Sequence, residues 1–323
     1  VVGMGVAGIP SRLLPGRYGS CWTYAGEGVA PGQIGLDRMR DEYRFRSIDE
    51  STAIYGVLGR PVGHSLSPAM HNAGFAAYGI DAIYLPLEAK DLADFTEFSR
   101  AVPLAGVSVT APFKERVLES LVEVDEIGRR VGAVNTLCLG AAGWAGVNTD
   151  VHGFLEPIRD RMSWRGMRVI VLGAGGAARA VAVALEGVGA NVSICARDEM
   201  KAQNVAEAIG VSCTSFPPLR KSWDMLVNTT PVGTFPDIEA TPLPDDSFGG
   251  HIVYDLIYNP RITRLMAGAK RAGCEAIGGL PMLVSQAVRQ FDLWTGIKPS
   301  SDLFQEAAER ELLRQSTVGN QDS

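Results

Sequence analysis

Residues 169–185 read VIVLGAGGAARAVAVAL, and this stretch decides the architecture of its half of the chain. Val169 to Leu172 form an apolar, largely β-branched strand. Gly173, Gly175 and Gly176 follow it, and an Ala/Val-rich run then has the composition of a helix. A GxGxxA loop between a buried strand and a helix is the arrangement that binds dinucleotides. The first Gly allows the tight turn, and the second lets backbone N–H groups approach a pyrophosphate at the positive end of the helix. Gly173, Ala174, Gly175, Gly176, Ala177 and Ala178 are therefore the candidate cofactor loop, with Ala178 in the third fingerprint position. A Gly-rich turn that binds nothing is the plainer reading of the same residues.

The next strand, NVSIC at 191–195, selects the cofactor. NAD sites place an acid at its end for the ribose hydroxyl, whereas NADP sites place Arg there for the 2′-phosphate. Here the strand runs into Ala196, Arg197, Asp198 and, later, Lys201. Arg197 stands at the selector position and Lys201 within reach of the same phosphate, which favours NADP. Asp198 would repel that phosphate if it turned inward.

Outward from this loop, strand-like and helix-like segments alternate in two blocks. The first runs AIYGVLG (53–59, strand), SPAMHNAGFAAYG (67–79, helix), AIYLPLEA (82–89, strand) and DLADFTEFSRAV (91–102, helix, Asp91 in its first turn). It continues through LAGVSVTAP (104–112, strand) and KERVLESLVE (114–123, helix), then two short strands around a Gly-rich turn at 134–150. The second block holds strands at 167–173, 191–197, 224–231 and 251–258, with helices at 175–189, 200–210 and 263–273. Helices at 283–296 and 303–315 close the chain, and the tail 316–323 is expected to fray. Such alternation implies an α/β architecture with parallel sheets.

At about 150 residues per domain, 323 residues make two domains with room for a further fragment. A 46% apolar, 20% charged composition fits an ordinary globular protein, neither disordered nor fibrous. A net charge of −6 gives no broad electrostatic footprint for nucleic acid or anionic membrane. The most apolar stretch is interrupted by Arg179, which argues against a membrane span. Cys21, Cys138, Cys195, Cys213 and Cys274 are scattered and never form a CxxC pair, so no disulfide framework or zinc site is expected, and no metal. That usage fits a reducing cytoplasm, or a plastid stroma if the source is plant-like. Val1 is not an initiator Met and VVGMGVAGIP is not a signal peptide, so the chain is expected to begin inside a longer polypeptide.

GHSLSPAMHN (63–72), GVSVTAPFKE (106–115), GAVNT (132–136) and GVNTD (146–150) gather hydroxyls, amides, one Lys and one Asp near predicted strand ends. Ligands bind there in open α/β sheets, and such a set suits a small polyol. Lys114 with Asp150 is a plausible proton-transfer pair. Turn formers and helix caps would use the same residue types.

Residues 54–297 resemble shikimate dehydrogenase. HSLSP, VTAPFK, AVNT, NTD, GAGGAARA, NTTPVG, DLIYNP and LPMLVSQA occur in that family's order and spacing. The resemblance implies reversible reduction of 3-dehydroshikimate to shikimate with NADPH, in aromatic amino-acid biosynthesis. It implies that Ser65 and Ser67 hold the substrate carboxylate and that Thr110, Asn135 and Gln286 bond the carboxylate and ring hydroxyls, with Tyr258 near the carboxylate. Lys114 and Asp150 would be the catalytic pair, either one moving the proton. Arg197 would take the 2′-phosphate, and Thr230 with Gly279 would line the nicotinamide side. Three positions depart from the family: Ser108 where Asn is common, Ala196-Arg197-Asp198 in place of Asn-Arg-Thr, and Thr234 in place of Met. His64, His152 and Cys195 are read as structural.

GMGVAGIPSRLL, GSCWTYA and VAPGQI resemble the end of a type I 3-dehydroquinate dehydratase barrel, which implies substrate contacts for Arg12 and Gln33. The Schiff-base Lys and its His partner are absent from the chain, so dehydration is not expected of it. Its apolar face is expected to lie uncovered. The fold class implied is α/β, a two-domain shikimate dehydrogenase fold with an N-terminal partial TIM-barrel remnant. Residues 1–46 are the remnant, 49–149 with 285–315 an α/β substrate-binding domain, and 150–284 a Rossmann NADP-binding domain. The active site is expected in a cleft between those two domains, with hinge closure on binding. The partners expected are a small-molecule substrate and an upstream dehydratase domain in the same polypeptide, as in dehydratase–dehydrogenase fusions, with no nucleic acid and no membrane. Two alternatives are a quinate dehydrogenase using NAD and a catalytically silent metabolite sensor.

Overall fold

The structure is a computed structural model and describes residues 3–20, 22–26, 32–244 and 247–319. Helices α1 (Ile9–Leu13) and α2 (Leu36–Asp41) precede β1 (Ala53–Gly59), α3 (Ser67–Ala77), β2 (Ala82–Glu88), α4 (Leu92–Ala101) and β3 (Leu104–Val109). Next come β4 (Glu123–Val124), α5 (Glu126–Val131), β5 (Thr136–Gly140), β6 (Gly143–Val147) and α6 (Asp150–Leu155). The chain continues through β7 (Arg168–Leu172), α7 (Gly176–Gly187), β8 (Asn191–Cys195), α8 (Glu199–Ile209), β9 (Ser212–Thr214) and β10 (Met225–Asn228). It ends with β11 (Ile252–Asp255), α9 (Arg264–Arg271), β12 (Glu275–Ile277), α10 (Leu280–Thr295) and α11 (Ser301–Gly319). The chain divides into two compact units, one of residues 1–125, 134–147 and 287–323, the other of 126–133 and 148–286.

The first unit is built on a six-stranded sheet of order β2-β1-β3-β5-β6-β4. β2, β1 and β3 are parallel and nearly continuous in buried apolar residues, as strands covered on both faces must be. The expected parallel sheet is only partly realised, because β5 and β6 form an antiparallel hairpin beside β3. Its turn needs Gly143, whose φ is +133°. KERVLESLVE is not the expected helix. It makes a 3₁₀ turn at Arg116–Ser120 and then β4, because Val122 and Asp125 donate backbone N–H groups to Trp144 and Gly146 across the sheet. That ladder outweighs a local helix preference. Asp91 is the N-cap of α4 rather than a first-turn residue, accepting the Asp94 N–H at 2.9 Å.

The N-terminal segment forms no strand among its described residues. The expected uncovered face is buried instead: Ile9, Leu13, Leu14, Ile34, Met39 and Tyr43 enter one apolar cluster with Ile54, Leu58, Ile83, Leu85 and Val107. Arg17 and Arg44 fasten the segment by donating to the carbonyls of Thr52 and Ala82, each at 2.7 Å. Arg38 pairs with Glu42 and lies 3.6 Å from the Glu311 carboxylate on α11. The tail expected to fray is helical through Gly319, and residues 320–323 lie outside the described chain, as does Cys21.

The second unit carries a six-stranded, all-parallel sheet of order β12-β11-β10-β7-β8-β9. Its core joins Val169, Val171, Ile194, Val227 and Tyr254 from the strands to Ala178, Val181, Ala182 and Leu185 from α7. The short α5, α6, β9 and β12 have no clear sequence signal, being three to six residues long. Among the described residues no helix is long and apolar enough to cross a membrane.

Candidate functional site

The candidate residues divide between the units. In the first, sheet topology gathers them at one edge. β1 and β3 are parallel, so the segments after them leave the same edge, and β5 runs antiparallel to β3, so it begins there. Ser65 and Ser67 follow β1, Thr110 and Lys114 follow β3, and Asn135 immediately precedes β5.

Hydrogen bonds tie these segments together. The Ser67 N–H donates to Ser65 Oγ at 3.3 Å, which pairs the two serines at the start of α3. Thr110 donates its N–H to the Leu58 carbonyl at 2.8 Å. Gly59 is required beneath it, since a Cβ there would stand 2.3 Å from the Thr110 methyl. Lys114 is half-buried in the turn after β3, on no helix, and its carbonyl accepts the Val134 N–H at 2.9 Å. Val109 donates to the Asn135 carbonyl at 2.8 Å, which sets Asn135 beside the end of β3. Asn135 and Ser67 are both buried.

Behind this edge lies a polar and aromatic layer that the sequence reading did not find. Tyr84, Ser108, Thr136 and Gln290 are buried and joined by hydrogen bonds. His71 stacks on Tyr84 with ring centroids 4.4 Å apart, and Phe291, Trp294 and Phe304 complete its surroundings. Burial pulls the His71 imidazolium down to about 3, and the neighbouring Gln290 amide offsets only part of that. Neither ring nitrogen has a partner in hydrogen-bonding geometry among the described residues. Burial likewise raises the Tyr84 phenol above its ordinary value. One signal was legible: Gln290 follows Gln286 by one helical turn.

In the second unit the parallel strands all release their carboxyl ends at one edge, so Gly173, Arg197, Thr230 and Tyr258 follow adjacent strands there. Gly173 has φ +117°, and a Cβ on it would lie 2.5 Å from Thr229 Oγ1 and 3.4 Å from the Thr230 methyl. The cofactor loop and the Thr230 turn are therefore in contact. Gly175 is the N-cap of α7 and faces open space, with no acidic residue in the first turn of that helix. Ala174 and Ala178 are buried, Ala178 completely, so Ala178 provides the close helix–sheet packing. Arg197 and Lys201 are exposed. Asp198 does not turn inward as a competing charge: it caps α8, accepting the Lys201 N–H at 3.0 Å.

The Thr230 turn is braced from below. Asn228 accepts the Thr230 N–H and hydroxyl, and donates to Asp255 Oδ1 at 2.9 Å. Thr263 donates to Asp255 Oδ2 at 2.6 Å. Burial raises the Asp255 carboxyl, against the pull of these donors. Gly279 presses on the next strand exit, where a Cβ would meet the Leu256 carbonyl oxygen at 2.0 Å.

Asp150 opens α6 and is 4% exposed. It does not cap that helix. The N-cap position is Thr149, and Asn148 Oδ1 accepts the N–H groups of Asp150 and Val151 at 3.0 and 3.2 Å. Gln286 packs against the same helix, since a Cβ on Gly153 would lie 2.7 Å from the Gln286 Cβ. Arg12 and Gln33 are placed in the N-terminal segment, Arg12 at 2% exposure, with Arg12 Nε and Nη1 and Gln33 Oε1 buried and without a hydrogen-bond partner among the described residues.

The substrate-binding domain model of shikimate dehydrogenase matches residues 57–137, and the C-terminal domain model of shikimate 5′-dehydrogenase matches residues 279–309. A curated relative, shikimate dehydrogenase (NADP⁺) of Moorella thermoacetica, is 41% identical over 265 residues, covering 77% of this chain and 90% of its own. The bifunctional chloroplastic 3-dehydroquinate dehydratase/shikimate dehydrogenase of Arabidopsis thaliana is 34% identical over 93% of this chain. The match spans about half, 54%, of the length of that relative. Among solved structures, shikimate 5-dehydrogenase from Thermus thermophilus in complex with NADP(H) and shikimate superposes with a TM-score of 0.74 at 38% identity, covering 80% of this chain and all of that one. With strand ends, glycine cradle and paired serines where the motifs put them, and with likeness over nine-tenths of the Moorella protein, this chain belongs to the shikimate dehydrogenase family.

Proposed function

We propose that this chain reversibly reduces 3-dehydroshikimate to shikimate with NADPH. The observation that carries the reading is the gathering of Ser65, Ser67, Thr110, Lys114 and Asn135 at one sheet edge. Two serine hydroxyls brought together by the Ser67 N–H bond to Ser65 Oγ suit a carboxylate, and an amide with a third hydroxyl suits ring hydroxyls.

The second unit fits NADP. A Cβ at Gly175 would fill the space in front of the α7 N-terminus, where an anion is favoured and the first turn carries no acidic residue. Arg197 stands after β8 for the additional phosphate, with Lys201 on the following helix. Gly173, Ala174, Gly176, Ala177 and Ala178 would shape the pyrophosphate turn, and Thr230 and Gly279 the nicotinamide end. When bound, the cofactor supplies hydride to the carbonyl carbon of the substrate.

The residues of the chain manage the rest. Lys114 is proposed to donate a hydrogen bond and then a proton to the developing alkoxide oxygen, and Asp150, from its family motif, to act in the same proton transfer. The roles proposed from the family motifs are the substrate carboxylate for Ser65, Ser67 and Tyr258, and the carboxylate and ring hydroxyls for Thr110, Asn135 and Gln286. A positioned acid–base contributes about 10²–10⁴ in rate. The test is shikimate-dependent reduction of NADP⁺ by the purified chain.

A dehydratase domain upstream in the same polypeptide is the second part of the proposal. Similarity to the bifunctional plant protein covers 93% of this chain against 77% for the Moorella enzyme, so the added match includes sequence before the dehydrogenase region. Arg12 and Gln33 would then be remnants of that site. Extending the polypeptide upstream and assaying dehydroquinate dehydration tests it.

A further inference from the structure

A one-way chain of hydrogen bonds lies behind Asn135, entirely within the first unit. The Tyr84 hydroxyl donates to Ser108 Oγ at 2.6 Å, and the Ser108 hydroxyl donates to Gln290 Oε1 at 2.9 Å. The Gln290 amide donates to Thr136 Oγ1 at 3.0 Å and to the Asn135 backbone carbonyl at 3.1 Å. The Thr136 hydroxyl donates in turn to Asn135 Oδ1 at 3.1 Å. Tyr84, Ser108, Thr136, Gln290 and Asn135 are each no more than 5% exposed.

A carboxamide has nearly the same shape with its oxygen and nitrogen exchanged, so shape alone does not fix which end donates. The direction of the chain favours one of the two. Gln290 donates to Thr136, which leaves the Thr136 hydroxyl proton to give, and Asn135 Oδ1 is the atom that receives it. The Asn135 nitrogen is then the end that donates to its remaining surroundings. The chain begins at Tyr84, held by its stack on His71 and by an interaction with the Ser67 hydroxyl. It thus connects Ser67 and Asn135, two residues that the functional reading gives to the substrate.

We propose that Tyr84, Ser108 and Gln290 are positioning residues that set the donor orientation of the Asn135 carboxamide, and through it the affinity for a substrate bearing a hydroxyl at that position. The proposal rests on the functional reading above. None of the three needs to touch substrate for it to hold.

The test is a set of double-mutant cycles read as shikimate Kd by calorimetry, on the full chain. Tyr84→Phe and Ser108→Ala are each made alone and in an Asn135→Ala background, with thermal unfolding confirming that every variant is folded. Tyr84→Phe keeps the ring on His71, and Ser108→Ala removes one oxygen, so either variant carries the test if the other fails to fold. Each single change should weaken binding roughly five- to tenfold, the worth of about one buried hydrogen bond. Each should have less than about a twofold effect once Asn135 is alanine, because residues acting through one another are not additive. Equal losses in both backgrounds, or no loss in the wild-type background, overturn the positioning role while shikimate binding stands. A wild-type chain that binds no shikimate overturns the functional reading and the positioning role with it.

Discussion

The Asp198 carboxylate accepts the backbone N–H of Lys201 at 3.0 Å and so belongs to helix α8 rather than to the turn in front of it. An acid next to Arg197 looked in the sequence like an obstacle to a phosphate. Its structural work as an N-cap removes the obstacle. Asp198→Ala should cost about 1 kcal/mol of stability and leave the KM for NADP⁺ within about twofold. Arg197→Ala should raise that KM by tenfold or more, with the stability unchanged, on the strength of lost charge-assisted bonds. Steady-state kinetics with both NADP⁺ and NAD⁺, beside urea unfolding, separates the two residues. A large KM effect at Asp198 would return it to the phosphate site.

Gly173 and Gly175 should respond oppositely to the same substitution. Gly173 sits at φ +117° with Thr229 Oγ1 2.5 Å from a would-be Cβ, so Gly173→Ala should destabilise the chain by about 1–3 kcal/mol. Gly175 has an ordinary φ of −101° and open space before it. Gly175→Ala should therefore fold with less than about 1 kcal/mol lost and yet bind NADP⁺ at least tenfold more weakly. Comparable unfolding midpoints for the two variants would contradict this division.

The buried His71 makes stability fall toward acid. Its folded-state value is pulled down to about 3 from 6.5. Below 6.5 the unfolded chain takes up a proton that the folded chain refuses, so stability is lost as pH drops from about 6.5 toward 3, at about 1.4 kcal/mol per pH unit. His71→Phe keeps a flat ring among Tyr84, Phe291, Trp294 and Phe304. Between pH 7 and pH 5 the wild type should lose about 2 kcal/mol more than this variant in urea titrations. Parallel losses would show that His71 titrates normally.

Lys114→Ala should lower kcat by about 10²–10⁴ and change the shikimate KM much less. Its carbonyl bond to Val134 involves only the backbone and survives the change, so folding should be preserved. A variant within a few-fold of wild type would remove Lys114 from the chemistry.

The sequence was most legible where local pattern and global fold agree. The β7–α7 unit is strand, glycine turn and helix in one stretch, and it folds as read. KERVLESLVE was misread because its backbone finds partners in β6, a pairing with no local signal. The N-terminal residues were read as leaving an uncovered face, but Leu13, Leu14 and Met39 bury against strands from Ile54 onward, a contact across distant sequence. Ser65, Ser67 and Thr110 stand in motifs, whereas Tyr84 and Gln290 carry no such signal. They share no motif with Asn135 and meet it only through sheet order and the return of α10. Asp198 was correctly noticed as unusual, but its cap depends on backbone geometry that composition does not reveal.

The most direct test of the account is the initial rate at which the purified chain reduces NADP⁺ with shikimate, followed by NADPH absorbance, with NAD⁺ and quinate run in parallel. The account predicts rapid turnover for NADP⁺ with shikimate and little for the other pairs. Turnover chiefly with NAD⁺ or quinate, or none from a folded sample, would contradict it.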